Sequence, residues 1–269
     1  NGVAQHVSAV VLDGTESIVL TMFATLSDVS IYSVYHLVVY GVKQLFVSLT
    51  SGIQSLMGEL WAKQENEELR DFFAWVEWLI HTGVVFVFGC TGVLIVPFVS
   101  VYTKGIVDAQ YIQPLFGAIL VAANAVHCLR LPYNLMILSG GHYKQTQNNY
   151  IAAAIINIVI SVIFVRREGL IGVAIGTLVA MLYQTVWMAY YDSQNLIKWP
   201  FRYFVKQMLV DAGTVALIAL GTTTIDMNVS NYFEWFACAV EVAAYSLIGV
   251  AIVNFVFYKD KEKKICKTI

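Results

Sequence analysis

Long runs of apolar residues, each close to the length that crosses a bilayer as a helix, dominate this sequence and narrow its possible folds sharply. A hydrocarbon core about 30 Å thick needs roughly 20 apolar residues at a helical rise of about 1.5 Å per residue. Eight runs meet or approach that length, at residues 3–26, 31–56, 72–99, 112–138, 150–165, 170–190, 209–225 and 233–258. They are too long for barrel strands, which span in about 10 residues of strict polar and apolar alternation. Composition agrees: 58% of the 269 residues are hydrophobic and 13% charged, where a soluble domain carries about 25% charged residues. The predicted fold class is all-α, a polytopic membrane helix bundle of about eight transmembrane helices.

Orientation follows from the basic residues between the runs. Lys63, Arg70, Lys144, Lys198, Arg202, Lys206 and the tail lysines 259, 261, 263, 264 and 267 fall on one side. Lys104, Arg166 and Arg167 fall on the other. The excess of Lys and Arg on cytoplasmic loops therefore predicts that both ends of this segment are cytoplasmic. Lys198, Arg202 and Lys206 repeat every four residues with Trp199, Phe201, Tyr203 and Phe204 between them. Residues 193–208 thus read as a cytoplasmic amphipathic connector lying on the anionic leaflet. Nucleic-acid binding is not expected so close to a membrane. Residues 209–258 follow as two further transmembrane helices, and 259–269 as a basic cytoplasmic tail.

The polar residues inside the runs are the candidates for function. Arg130 lies near the middle of the fourth run, where a charge costs roughly 2.5–3.5 kcal/mol on insertion scales. Two residues later Pro132 removes a backbone donor, so a helix kink is expected there. Arg130 either faces a polar interior or serves structure alone, by snorkelling or pairing with a carboxylate. In the second run Ser33, His36, Tyr40, Lys43, Gln44, Ser48, Ser51 and Ser55 recur at spacings near three and four, a polar stripe on one helix face. Such a stripe lines a hydrated cavity or, through its small residues, lets helices approach closely. Asp13 and Glu16 share a face of the first run, where they hold a coupling cation or balance Lys43 and Arg130.

Other features point less far. Glu77 and His81 are one helical turn apart between Trp75 and Trp78, and read as an interfacial carboxylate in an aromatic belt or as a proton relay. Pro97 marks the outer end of the third run. Gly172 and Gly176 form a G-x-x-x-G, which favours close helix contact. Cys90, Cys128, Cys238 and Cys266 show no paired spacing, so neither a disulfide framework nor a zinc site is indicated. No catalytic motif stands out and the five histidines are dispersed, so the chain is not read as an enzyme and no cofactor or metal is expected. The rival reading of a membrane-embedded envelope-assembly enzyme lacks a catalytic constellation. The first residue is Asn1 and an apolar helix starts at once, as in a fragment that begins mid-protein.

Several stretches in order resemble one transporter family. Thr15-Glu16-Ser17-Ile18-Val19-Leu20-Thr21 is similar to a T-D-x-I-L-I-S stretch, and Ile31-Tyr32-Ser33 to a G-x-Y-S step. Pro97-Phe98-Val99 resembles P-F-I, Gly141-His142-Tyr143-Lys144 resembles G-x-Y-K, and residues 166–177 resemble K-K-x-G-I-x-G-V-x-x-G-T. These are motifs of the polysaccharide-type flippases of the multidrug/oligosaccharidyl-lipid/polysaccharide exporter superfamily, and the resemblance runs through most of residues 1–192. It departs at Glu16, where the family usually has Asp, and at Ser30, where it has Gly. The resemblance implies a bacterial cytoplasmic-membrane protein of fourteen helices, with residues 1–192 as its second six-helix lobe and the last two helices as an appended pair. It implies alternating access and a cargo of undecaprenyl-diphosphate-linked oligosaccharide for surface polysaccharide such as lipopolysaccharide or capsule, alongside membrane lipids and polysaccharide-polymerising machinery. Arg130 and Lys43 would then attract the diphosphate, with Gln44, Ser48, Ser51 and Ser55 lining the path for sugars. A drug or cation antiporter of the same superfamily is the alternative, with Asp13 and Glu16 in the leading role.

Overall fold

A computed structural model describes residues 3–258. Among these, the chain forms nine α-helices and one short 3-10 turn: α1 (Val3–Phe23), α2 (Leu26–Ala62), α3 (Asn66–Tyr102), α4 (Pro114–Leu129), α5 (Leu131–Ser139), α6 (Tyr143–Glu168), α7 (Leu170–Asn195), α8 (Arg202–Gly221) and α9 (Tyr232–Phe257), the 3-10 turn being Thr222–Thr224. Six spans, with α4 and α5 taken as one, are long and apolar enough to cross a membrane. α1 and α2 have the length, at 21 and 37 residues, and carry more polar residues along their faces. Much of the outward surface is apolar, as on α9, where Phe233, Phe236, Ile248 and Phe255 are exposed. Six such helices make this a multi-pass membrane protein.

Local chemistry places the helix ends. Thr25 caps α2 through a reciprocal box in which Asp28 N–H donates to the Thr25 hydroxyl oxygen at 3.1 Å and Thr25 N–H donates to Asp28 Oδ2 at 3.0 Å. Thr25→Ala is expected to cost about 1 kcal/mol, read as a lowered unfolding midpoint in detergent. Pro114 opens α4 at a position where no N–H is needed. In the fourth run α4 stops at Leu129 and α5 starts at Leu131, with Arg130, itself at helical φ −74° and ψ −22°, as the joint. Pro132 has no N–H to offer the carbonyl of Cys128, so the ladder fails there. Pro97, by contrast, sits inside α3, which runs on to Tyr102 and so extends past the outer end expected at that proline.

The tightest junction is the α6–α7 hairpin, turned by Gly169 at φ 53°, a left-handed geometry that favours glycine. α7 also packs against α4, and α1 lies mainly on α6. α2 lies against α3 and the α4–α5 pair, while α8 and α9 pair with each other on α3. The main core joins α2, α3, α4, α5 and α7 around Tyr35, Met57, Leu120, Met136 and Met188. The amphipathic connector expected at 193–208 is not a separate helix. α7 continues to Asn195, residues 196–201 are non-helical, and Arg202 already belongs to α8. Lys198, Arg202 and Lys206 are exposed, but Trp199 and Phe204 turn inward onto Phe73 and Tyr133. Burying those rings fastens the segment to the bundle. The tail at 259–269 lies outside the described residues.

Candidate functional site

Four helices bring the interior polar residues of the first, second, fourth and seventh helices to one place. Glu16 on α1 is 6% exposed and accepts hydrogen bonds from Tyr32 Oη of α2 at 2.6 Å and Thr177 Oγ1 of α7 at 2.5 Å. Behind Thr177, Asn157 Nδ2 approaches its hydroxyl at 3.4 Å, and Ser161 donates to Asn157 Oδ1 at 3.1 Å. One turn along α2 from Tyr32, the His36 ring stacks between Tyr32 and Tyr40, with centroids 5.1 and 5.3 Å away. Lys43 follows on the same face, 5% exposed, its Nζ 5.0 Å from the centre of the Tyr40 ring. That is cation–π distance.

Glu16, His36, Lys43, Asn124, His127 and Thr177 line a half-open pocket of about 350 Å³. Arg130, 6% exposed, stands one turn beyond His127 and reaches its Nδ1 through Nη2 at 3.2 Å. A guanidinium only donates, so Nδ1 is the accepting ring nitrogen. The helix break puts Arg130 where two helix ends meet, and its backbone still bonds both ways, to Val126 and from Asn134. Two cations and one carboxylate with ordered hydroxyl partners thus gather in the low-dielectric interior, where their fields are strong.

The remaining predicted residues lie elsewhere. Gln44 is half-buried outside the pocket lining, and Ser48, Ser51 and Ser55 are exposed on the face of α2 that also shows Leu45, Leu49 and Leu56. Ser48 and Ser51 hydroxyls turn back to the carbonyls of Leu45 and Ser48, at 2.9 and 3.2 Å. The stripe read as one face therefore splits in two: His36 and Lys43 turn inward, whereas the serines and Tyr40 are exposed. Pro132 is buried just past the joint. The side chain of Asp13 lies outside the described residues.

A second polar cluster joins Glu77 and His81 to residues that sequence reasoning missed. Glu77 is 6% exposed and accepts from Tyr133 Oη at 2.7 Å, so it is an interior carboxylate and the interfacial reading is corrected. His81 is fully buried and meets Asp211 of α8, Nδ1 to Oδ2, at 2.6 Å. Gln207 Nε2 donates to the other Asp211 oxygen at 3.0 Å, and Tyr258 Oη donates to Gln207 Oε1 at 2.5 Å. The i, i+4 pair Gln207–Asp211 at the head of an apolar run was the available signal. Asp192, near the end of α7, is 2% exposed beside this cluster. The sixth apolar run ends at Tyr190, just before it.

Comparison with protein-family models, curated proteins and solved structures finds no match. The site's chemistry therefore rests on its own geometry. Among the described residues no group of three or more His, Cys, Asp or Glu side chains is placed to hold a metal ion. What the pocket offers instead is one cation, Lys43, beside one carboxylate, Glu16, with Arg130 touching the lining residue His127 from outside the lining.

Proposed function

We propose that this chain is part of a membrane transporter with an anionic cargo, and that it flips undecaprenyl-diphosphate-linked oligosaccharide for surface polysaccharide assembly. The observation that carries the reading is the burial of Lys43 and Arg130, both nearly inaccessible, about His127, which lines the pocket with Lys43 and is touched by Arg130. Charged residues inside membrane bundles are costly and usually mark a transport path. An arginine engages diphosphate oxygens bidentately, and a lysine acts as a point charge. In this reading α1 and α2, despite their polarity, also cross the bilayer, making eight spans with both ends cytoplasmic. The exposed serine face of α2, with Gln44 at its head, then supplies weak hydrogen bonds to sugars along a wall completed by another lobe. Alternating access around that wall supplies the movement, and polymerising machinery takes the product.

The test is Arg130→Ala and Arg130→Lys in expressing cells, with surface polysaccharide measured at matched membrane protein levels. Export is expected to fall about tenfold or more in the alanine variant, the loss of one charge-assisted contact of about 1.5 kcal/mol. Lysine, which keeps the charge without the fork, is expected to fall between. Full export by the alanine variant would sink the role. A second reading, a cation antiporter of the same superfamily, is favoured by Glu16, whose carboxylate is held by two hydroxyls as a cation site requires. Under it, Glu16→Gln abolishes gradient-coupled efflux of small cations and Arg130→Ala spares it.

A further inference from the structure

We propose that the junction of α3, α5, α7 and α8 forms a second ligand site, separate from the Glu16–Lys43 pocket, that binds a small organic ammonium ion. Asp192 is 2% exposed, and neither carboxylate oxygen has a hydrogen-bond partner among the described residues. It lines a half-open pocket of about 300 Å³ together with Glu77, one of whose oxygens is taken by Tyr133. Among the described residues no Lys, Arg or His lines that pocket. Behind Tyr133, His81 and Asp211 satisfy each other, so they bring no spare positive charge.

Most of the rest of the wall is aromatic. Phe73 lies with its centroid 5.9 Å from Tyr133 and 6.0 Å from Trp199, and Phe204 packs edge-on to Tyr133 at 5.5 Å. Carboxylates withdrawn from water are expensive unless a positive charge compensates them, and ring faces attract cations through their quadrupoles. A hard metal ion needs about six oxygen ligands, and this wall is mostly carbon. An alkylammonium matches both parts, presenting its charge to Asp192 and Glu77 and its carbon-bound surface to the rings. The same chemistry comes from a free amine or from the ethanolamine headgroup of a lipid. The inward fold of residues 196–201, with Trp199 as its anchor, is what closes the cage, and this gives that non-helical segment a role.

The site is independent of the transport reading and is tested by calorimetric titration of tetramethylammonium chloride into the purified full chain in detergent, against sodium chloride at equal ionic strength. Saturable binding is expected for the ammonium salt alone. Asp192→Asn is expected to weaken it at least tenfold, and Trp199→Leu about tenfold. Glu77→Gln supplies an independent reading should Asp192→Asn fail to accumulate as folded protein. In nanodiscs, competition by ethanolamine lipid but not by phosphatidylglycerol would identify the headgroup as the source. Undiminished binding in ethanolamine lipid would identify a free amine. Absence of saturable binding by the folded wild type, or equal affinity in wild type and the Asp192→Asn variant, overturns the proposal.

Discussion

Replacing His81 with leucine is expected to destabilise the folded protein by about 3 kcal/mol, the largest effect of any single substitution considered in the bundle interior. The imidazole is fully buried and is the 2.6 Å partner of Asp211. A carboxylate only accepts when ionised, so Nδ1 carries the hydrogen. Leucine removes that donor and leaves Asp211 in an apolar surround with the Gln207 amide still donating to it. Stranding a charge in this way costs about 3–5 kcal/mol in buried pairs, and a central aspartate costs about 2.5–3.5 kcal/mol on membrane insertion scales. The reverse substitution, Asp211→Leu, leaves an imidazole that is able to stay neutral, and costs nearer 1 kcal/mol for the lost hydrogen bond. The double variant is expected to be more stable than His81→Leu alone, because no carboxylate is left behind. Unfolding in mixed micelles measures all three, and equal, additive single effects would falsify the asymmetry.

The second large effect sets two glycine substitutions against each other. A Cβ on Gly176 would lie 2.9 Å from Ser161 N and 3.1 Å from Asn157 O. On Gly172 it would lie 2.6 and 2.7 Å from the backbone carbon and oxygen of Phe164. These are backbone contacts, so the obstruction cannot swing aside and α6 must move from α7. Gly176→Ala is expected to cost about 1–3 kcal/mol, as overpacking does. The same movement pulls Thr177 from Glu16, so the damage reaches the candidate site. Gly41→Ala in α2 meets nothing within 4 Å and is expected to be neutral or to gain up to about 1 kcal/mol, since alanine is the better helix former. Opposite signs for one chemical change, measured by the same unfolding assay, separate packing from propensity.

Much of this is legible along the chain because it depends on neighbours. Pro132 removes a donor from its own helix, so the break beside Arg130 is visible before any tertiary contact is known. Gly172 and Gly176 are spaced to face one partner, and they do abut α6. The serine stripe shows where such reasoning ends. Spacings of three and four gathered His36, Lys43, Ser48 and Ser55 into one broad face, but a helix surface is wide enough for that face to straddle a packing edge. Glu77 was misjudged for a related reason. It lies close to a charged loop, yet α3 starts at Asn66 and Trp199 and Phe204 cover its end.

The sequence by itself determined a helical membrane bundle, because runs this long and apolar cannot satisfy their backbone in lipid any other way than as helices. It also determined the joint at Arg130 and the close α6–α7 approach, since steric and hydrogen-bonding limits act within a turn or across a short hairpin. Only the tertiary structure decided which buried charges meet: Glu16 with Tyr32 and Thr177, His81 with Asp211 across 130 positions, and the Asp192 carboxylate with no hydrogen-bond partner among the described residues. Helical periodicity assigns a residue to a face and is silent on which helix that face meets. That choice is made by shape complementarity summed over the whole bundle, and here it sets Asp192 and Glu77 against one largely aromatic wall.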